Sequence, residues 1–140
     1  MSYNLQFPGA QIDSGISNAY DATFIIALSP PGQDLMEGKN KCFLPIPFDF
    51  FLTGVYLDAR VPSTGASIKV DINKNGSAII SPPQPLQIDA GETSSRTSST
   101  SPAILTSGFS QGDYLTVDVD QAGSTFSGQD VVLSLYGIRR

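Results

Sequence analysis

The sequence predicts an all-β chain: an antiparallel β-sandwich of jelly-roll type, preceded by an extended N-terminal arm. Three observations carry that expectation. Thirteen Gly and ten Pro accompany abundant Val, Ile, Ser and Thr in 140 residues, a mixture suited to short strands joined by many turns. Several segments alternate apolar and polar residues with a period of two, as half-buried strands do. Eight or nine such segments recur at regular spacing with no amphipathic helix among them, the pattern of a two-sheet sandwich. The length suits one domain with a sizeable core, read here as an arm over residues 1–19 and a sandwich over residues 20–140.

The arm mixes Pro, Gly and small polar residues in "FPGAQIDSGISNA" without a regular period. Its Tyr3, Leu5, Phe7, Ile12 and Ile16 are more apolar than a linker requires. Such an end orders either against a neighbouring subunit or back on its own domain. "YDATFIIALS" reads as a largely buried strand, and "KCFL" as a short second one ahead of Pro45 and Pro47. "FDFFLTGVYLDARV" is a long strand with Phe51, Val55, Leu57, Ala59 and Val61 toward the core. Thr53 and Gly54 break its alternation where a bulge would sit.

In "ASIKVDIN" the residues Ile68, Val70 and Ile72 face one way and Lys69, Asp71 and Asn73 the other. The continuation "DINKNG" has two readings. It is the first half of a calcium loop, whose first, third and fifth residues offer oxygens. It also ends in Asn75-Gly76 between apolar runs, the strongest short-range hairpin signal. The twelfth position of a calcium loop requires a bidentate Glu, and this chain has Pro82 there. The hairpin is therefore expected. "SPPQP" suits an edge crossing or a passage between sheets, and "LQID" a short strand. "AGETSSRTSSTSP" reads as an exposed polar connection. "AILTSGF" resumes apolar character, and Gly112-Asp113 turns the chain into "YLTVDVD", with Leu115, Val117 and Val119 inward. The last strand, "VVLSLYGI", is apolar on both faces. It is central in a covered sheet or part of an interface.

Composition narrows function by exclusion. With no His there is no Ser-His-Asp or Cys-His unit and no His-containing zinc site. The single Cys42, among apolar neighbours, rules out an internal disulfide and reads as an inert thiol. Four Lys and four Arg lie scattered in a chain of net charge −5, so no basic patch is expected to meet nucleic acid. No phosphate-cradling glycine motif appears. No signal peptide or membrane span is expected, and the chain reads as made in a reducing cytoplasm. Neither catalytic residues nor a metal or other cofactor are expected.

Remaining constellations have architectural readings. Asp58, Asp71, Asp118 and Asp120 would form a cation site only if their strands were adjacent, whereas solvated strand faces carry Asp routinely. Tyr56, Phe109, Tyr114, Phe126 and Tyr136 suit stacking on sugars as well as a core or interface. Phe48, Phe50 and Phe51 beside Pro45 and Pro47 form the densest aromatic patch, core by default and an oligomer contact otherwise.

"TGASIKVDINKNGSAII", "LQIDAGETSS", "FSQGDYLTVDVDQAGST" and "VVLSLYG" together resemble a β-sandwich module of tailed-bacteriophage structural proteins. The match spans roughly residues 52–137 and rests on the order and spacing of short motifs. The resemblance implies a non-enzymatic virion component assembled in the host cytoplasm. The short chain, without repeats or heptads, suits a capsid decoration or cement protein better than a tail fibre. Its partner would be the major capsid protein, bound as a homotrimer at threefold junctions. Interface candidates are Tyr3, Leu5, Phe7, Ile12, Phe48, Phe50, Tyr136 and Ile138, while Asn75, Gly76, Gly112 and Asp113 are structural turns. The alternative is a tail-fibre or receptor-binding module that recognises host carbohydrate, through the loops 92–101 and 121–129. A glycoside hydrolase would need two close carboxylates with separated pKa values.

Overall fold

A computed structural model describes residues 20–140. The N-terminal arm, with the interface candidates Tyr3, Leu5, Phe7 and Ile12, lies outside the described residues. Nine strands occur among them: β1 (Tyr20–Ala27), β2 (Gly38–Pro45), β3 (Phe50–Val61), β4 (Ile68–Lys74), β5 (Ser77–Ala78), β6 (Leu86–Ile88), β7 (Gly108–Phe109), β8 (Tyr114–Ala122) and β9 (Gln129–Arg139). One 3-10 turn covers Ser95–Thr97. No helix among the described residues is long and apolar enough to cross a membrane.

The strands form two antiparallel sheets packed as a sandwich. The first has the order β1-β9-β3-β7, and the second β2-β8-β4-β5 with β6 also paired to β4. The pairs are nested along the chain: β1 with β9, β2 with β8, β3 with β7, and β4 with β5 and β6. β3–β9 and β4–β8 pairings then join the nested pairs into sheets. The core lies between the layers, where Leu57, Leu133 and Leu135 of the first sheet meet Ile68, Ile72 and Val117 of the second. Burying each such side chain contributes about 1.5–3 kcal/mol.

Local chemistry explains the turns. Asn75 and Gly76 take φ of 51° and 89° between Lys74 and Ser77, which pair across the β4–β5 hairpin. Positive φ at both central residues is what a two-residue hairpin of matching twist demands. The second turn is tied to the first. Asn75 donates from its side-chain amide to Asp113 Oδ1 at 3.0 Å and accepts from the Tyr114 N–H at 3.0 Å. Gly112 supplies the positive φ of 96° which that turn requires. The Asp113 carboxylate sits below its ordinary pKa, chiefly because it accepts the Ser110 N–H and next because of Asn75.

Four sequence expectations need correction. β1 is not largely buried; it is the edge of the first sheet, with Ile25 71% exposed. β2 extends beyond "KCFL" to Gly38 and Pro45. The expected bulge at Thr53 exists as a register shift between Leu52 and Gly54 opposite β9. Its extra residue reverses the phase of β3, so Phe50 and Leu52 point inward and Phe51 faces out. Of the two readings of "SPPQP" the edge crossing holds, because β5 and β6 both pair with β4 in one sheet. The Ser/Thr-rich connection is only partly exposed: Ser95 is buried and accepts the Leu57 N–H at 2.9 Å.

Candidate functional site

The outward face of the first sheet collects most of the unusual surface chemistry. Pairing places Ile25, Ser134 and Tyr56 in one row across β1, β9 and β3. Thr23, Tyr136 and Gly54 form the next row, and Asp21, Ile138 and Phe51 the row after it. The Tyr56 and Tyr136 rings meet edge to face, with centroids 5.5 Å apart at 65°. Gly54 permits this arrangement. A Cβ there would stand 3.2 Å from the Tyr56 ring, tighter than ordinary packing allows.

The Ser/Thr-rich connection builds the other wall. β7 pairs with β3 only at Phe50 and Phe51, which leaves the upper edge of β3 open to another partner. The connection takes that place: Ser94 bridges to Asp58, and the Ala59 N–H donates to Thr93 O at 2.9 Å. Asp89 braces the far end by accepting the Ser99 N–H at 2.8 Å and the Ser98 hydroxyl at 3.1 Å. Those bonds, the Ser99 N–H first, hold its carboxyl below the ordinary range. Arg96 then reaches back over the sheet. Its guanidinium lies 4.1 Å from the Tyr56 ring centre and 3.2 Å from both oxygens of Asp58.

Two clefts result. One of about 320 Å³ lies between β3 and the connection, with Thr53, Tyr56, Arg96 and Ser101 in its lining. The other, about 460 Å³, lies on the β1 side, with Thr23, Thr53 and Tyr136 in its lining. Thr53, the residue at the bulge, borders both. Its hydroxyl donates to Tyr136 O at 3.2 Å, leaving lone pairs available.

The second sheet presents different chemistry. Asp71 and Asp118 are directly paired across β4 and β8, and Asp120 follows at a register shift opposite Lys69 and Val70. Asp118 is only 6% exposed, accepting the Asn40 N–H at 2.9 Å and the Asn73 amide at 3.1 Å. Lys39 lies 3.8 Å away. Burial first, then the charge of Asp120, pushes the Asp71 carboxyl above its ordinary value. Asp120 is raised by burial and then by Asp118. Asp58, on the other sheet, pairs with Arg96 instead, so the four carboxylates do not converge. No group of three metal-ligating side chains occurs among the described residues.

The remaining candidates separate by burial. Phe50 is 2% exposed and packs against Phe24 and Phe109, so it belongs to the core and not to an interface. Phe48 is half-buried beneath the Arg139 guanidinium, 4.6 Å from the ring centre. Tyr136 and Ile138 lie on the outward face. Phe109 is core, Tyr114 packs on Phe43, and Phe126 stands 69% exposed in the loop after β8. Cys42 is half-buried, and burial raises its thiol pKa, which keeps it protonated. Sequence reasoning missed Arg96 and the position of Thr53 between the two clefts. The signals were the lone cation inside "GETSSRTSST" and the break in alternation at the bulge.

No family model matches the chain, and no curated protein or solved structure matches it.

Proposed function

We propose that this chain is a non-enzymatic structural protein of a tailed-phage particle, a decoration or cement protein that docks on the assembled shell by its arm-bearing end. One observation carries the reading: Tyr20 pairs with Arg139, so the start of β1 and the end of β9 lie side by side. The chain therefore enters β1 beside its C-terminus. Aromatic rings border that point. Phe48 lies under Arg139, and Phe51 lies 4.9 Å from the Arg140 guanidinium. Arm residues Tyr3, Leu5, Phe7 and Ile12 would add apolar area there, and burial of that area is the driving force for docking.

The nested strand pairing supports the jelly-roll form of the sandwich, since eight strands rolled up from an antiparallel ribbon pair in this order. The homotrimer, the major capsid protein as partner and the virion as location belong to the same proposal. Repetition at symmetry-related sites would multiply weak contacts.

The test uses purified particles. Quantitative mass spectrometry is expected to find this protein in simple proportion to the major shell protein. Chain lacking residues 1–19 is expected to keep its β-sheet circular dichroism yet fail to sediment with assembled shells. Full binding by the truncated chain, or absence of the protein from particles, overturns the reading.

A further inference from the structure

The two clefts outside the first sheet adjoin at Thr53, and the Tyr56–Tyr136 pair stands between them. Each has the volume of a small-ligand site. A ligand spanning both would straddle two tyrosines held in fixed orientation, Tyr56 by the Arg96 guanidinium above it and by the Tyr136 ring at its edge. Around them the groove offers hydroxyls from Thr23, Thr53 and Ser101. Hydroxyls both donate and accept, so they serve partners that do the same.

That combination selects among ligand classes. An anion would meet Arg96 only in competition with Asp58, whose two oxygens already take its Nη1. A peptide strand needs backbone partners, and on a sheet face the backbone groups are spent within the sheet. A sugar ring, with an apolar face and a rim of hydroxyls, matches the 37% exposed Tyr136 ring with its hydroxyl border, since Arg96 covers the Tyr56 face. We propose that the groove from Thr23 over Tyr136 and Thr53 to Tyr56 and Ser101 binds a neutral oligosaccharide. The Tyr56–Ser101 part of the groove lies on the far side of Thr53 from the row Asp21, Ile138 and Phe51 that borders the arm-bearing end.

The full-length protein is screened on a glycan array carrying neutral and acidic oligosaccharides. Titration calorimetry follows with maltohexaose, cellohexaose, chitohexaose and the strongest array ligand, with a heparin hexasaccharide as the anionic comparison. A neutral oligosaccharide is expected to bind. Tyr136→Ala is expected to weaken it roughly tenfold or more, and Thr53→Val, which keeps the shape but removes a hydroxyl, by a smaller factor. Phe126→Ser, outside the groove, is expected to leave binding unchanged. Thermal midpoints of all variants establish that they fold, and Thr53→Val stands as the decisive variant if Tyr136→Ala does not. Three results overturn the proposal: no neutral glycan binds, binding survives both groove substitutions, or heparin binds preferentially and is lost in Arg96→Met. Failure of shell docking leaves this test unaffected, because it uses the isolated protein.

Discussion

Outside the second sheet Asp71 faces Asp118 across neighbouring strands, whereas outside the first sheet Tyr56 and Tyr136 occupy comparable positions. Both faces are outer surfaces of antiparallel strands over one shared core. Their difference lies in what satisfies them. Asp118 is closed in by Asn40, Asn73 and Lys39, while Asp71 and Asp120 border a smaller cleft of about 180 Å³. The tyrosine face ends in open clefts lined by hydroxyls, with its one nearby cation already matched to Asp58. One face is closed at its central carboxylate, and the other keeps two larger clefts open.

The broadest challenge to that contrast is to the core beneath both faces. Leu57, fully buried in β3, is expected to cost about 2–5 kcal/mol on Leu57→Ala. One cooperative transition in urea, followed by both tryptophan-free ultraviolet absorbance and circular dichroism, would show a single core. Two separated transitions would break the comparison by making the sheets independent.

The next effect tests the closed face. Asp118→Ala leaves the Asn40 N–H and the Asn73 amide without their acceptor and is expected to cost about 1–3 kcal/mol. Asp118→Asn retains an acceptor and is expected to lose less. Equal losses in denaturant titration would mean that the charge, and not the hydrogen bonding, holds this face.

On the open face Arg96→Met removes a stack and a half-exposed ion pair, worth about 1 kcal/mol or less. A larger fall in thermal midpoint than for Asp118→Ala would reverse the assignment of which face is internally held.

The smallest expected effect is a pH response that separates the two kinds of carboxylate. Asp71 and Asp120 sit above the ordinary 3.8, so the folded state holds their protons more tightly than the unfolded chain does. Their ionisation penalty is present at neutral pH and relieved as pH falls through the raised values. Asp89, Asp113 and Asp130 sit below 3.8, and their stabilisation is lost as pH falls through the lowered values. The thermal midpoint is expected to rise slightly as pH falls from neutral through the raised values, then to fall on further acidification. In Asp71→Asn the rise is expected to shrink, which differential scanning calorimetry would detect.

Much of this fold was legible in the chain. The alternation Ile68, Val70, Ile72 and Leu115, Val117, Val119 marked two strands and their buried faces, because side chains on a strand alternate with a fixed period. Asn75-Gly76 marked its hairpin, because few other residues accept positive φ at both positions. Phe51 was misread for an equally physical reason: the extra residue at Thr53 shifts the phase, and a break in a pattern does not say which side keeps the original face. The candidate site was the least legible. Arg96 and Tyr56 are far apart in sequence, and the low-complexity stretch carrying Arg96 has no period that would point it at a particular strand.

The sequence by itself determined that the chain is all-β, where most strands and tight turns lie, and many of the side chains that fill the core, since these follow from local backbone preference and the drive to bury apolar surface. Only the tertiary structure decided that the Ser/Thr-rich connection completes the open edge of β3, that Phe50 is core while Tyr136 faces out, and that two clefts meet at Thr53. Those outcomes depend on which strands become neighbours. That choice minimises the free energy of the whole sandwich, and no single segment encodes it.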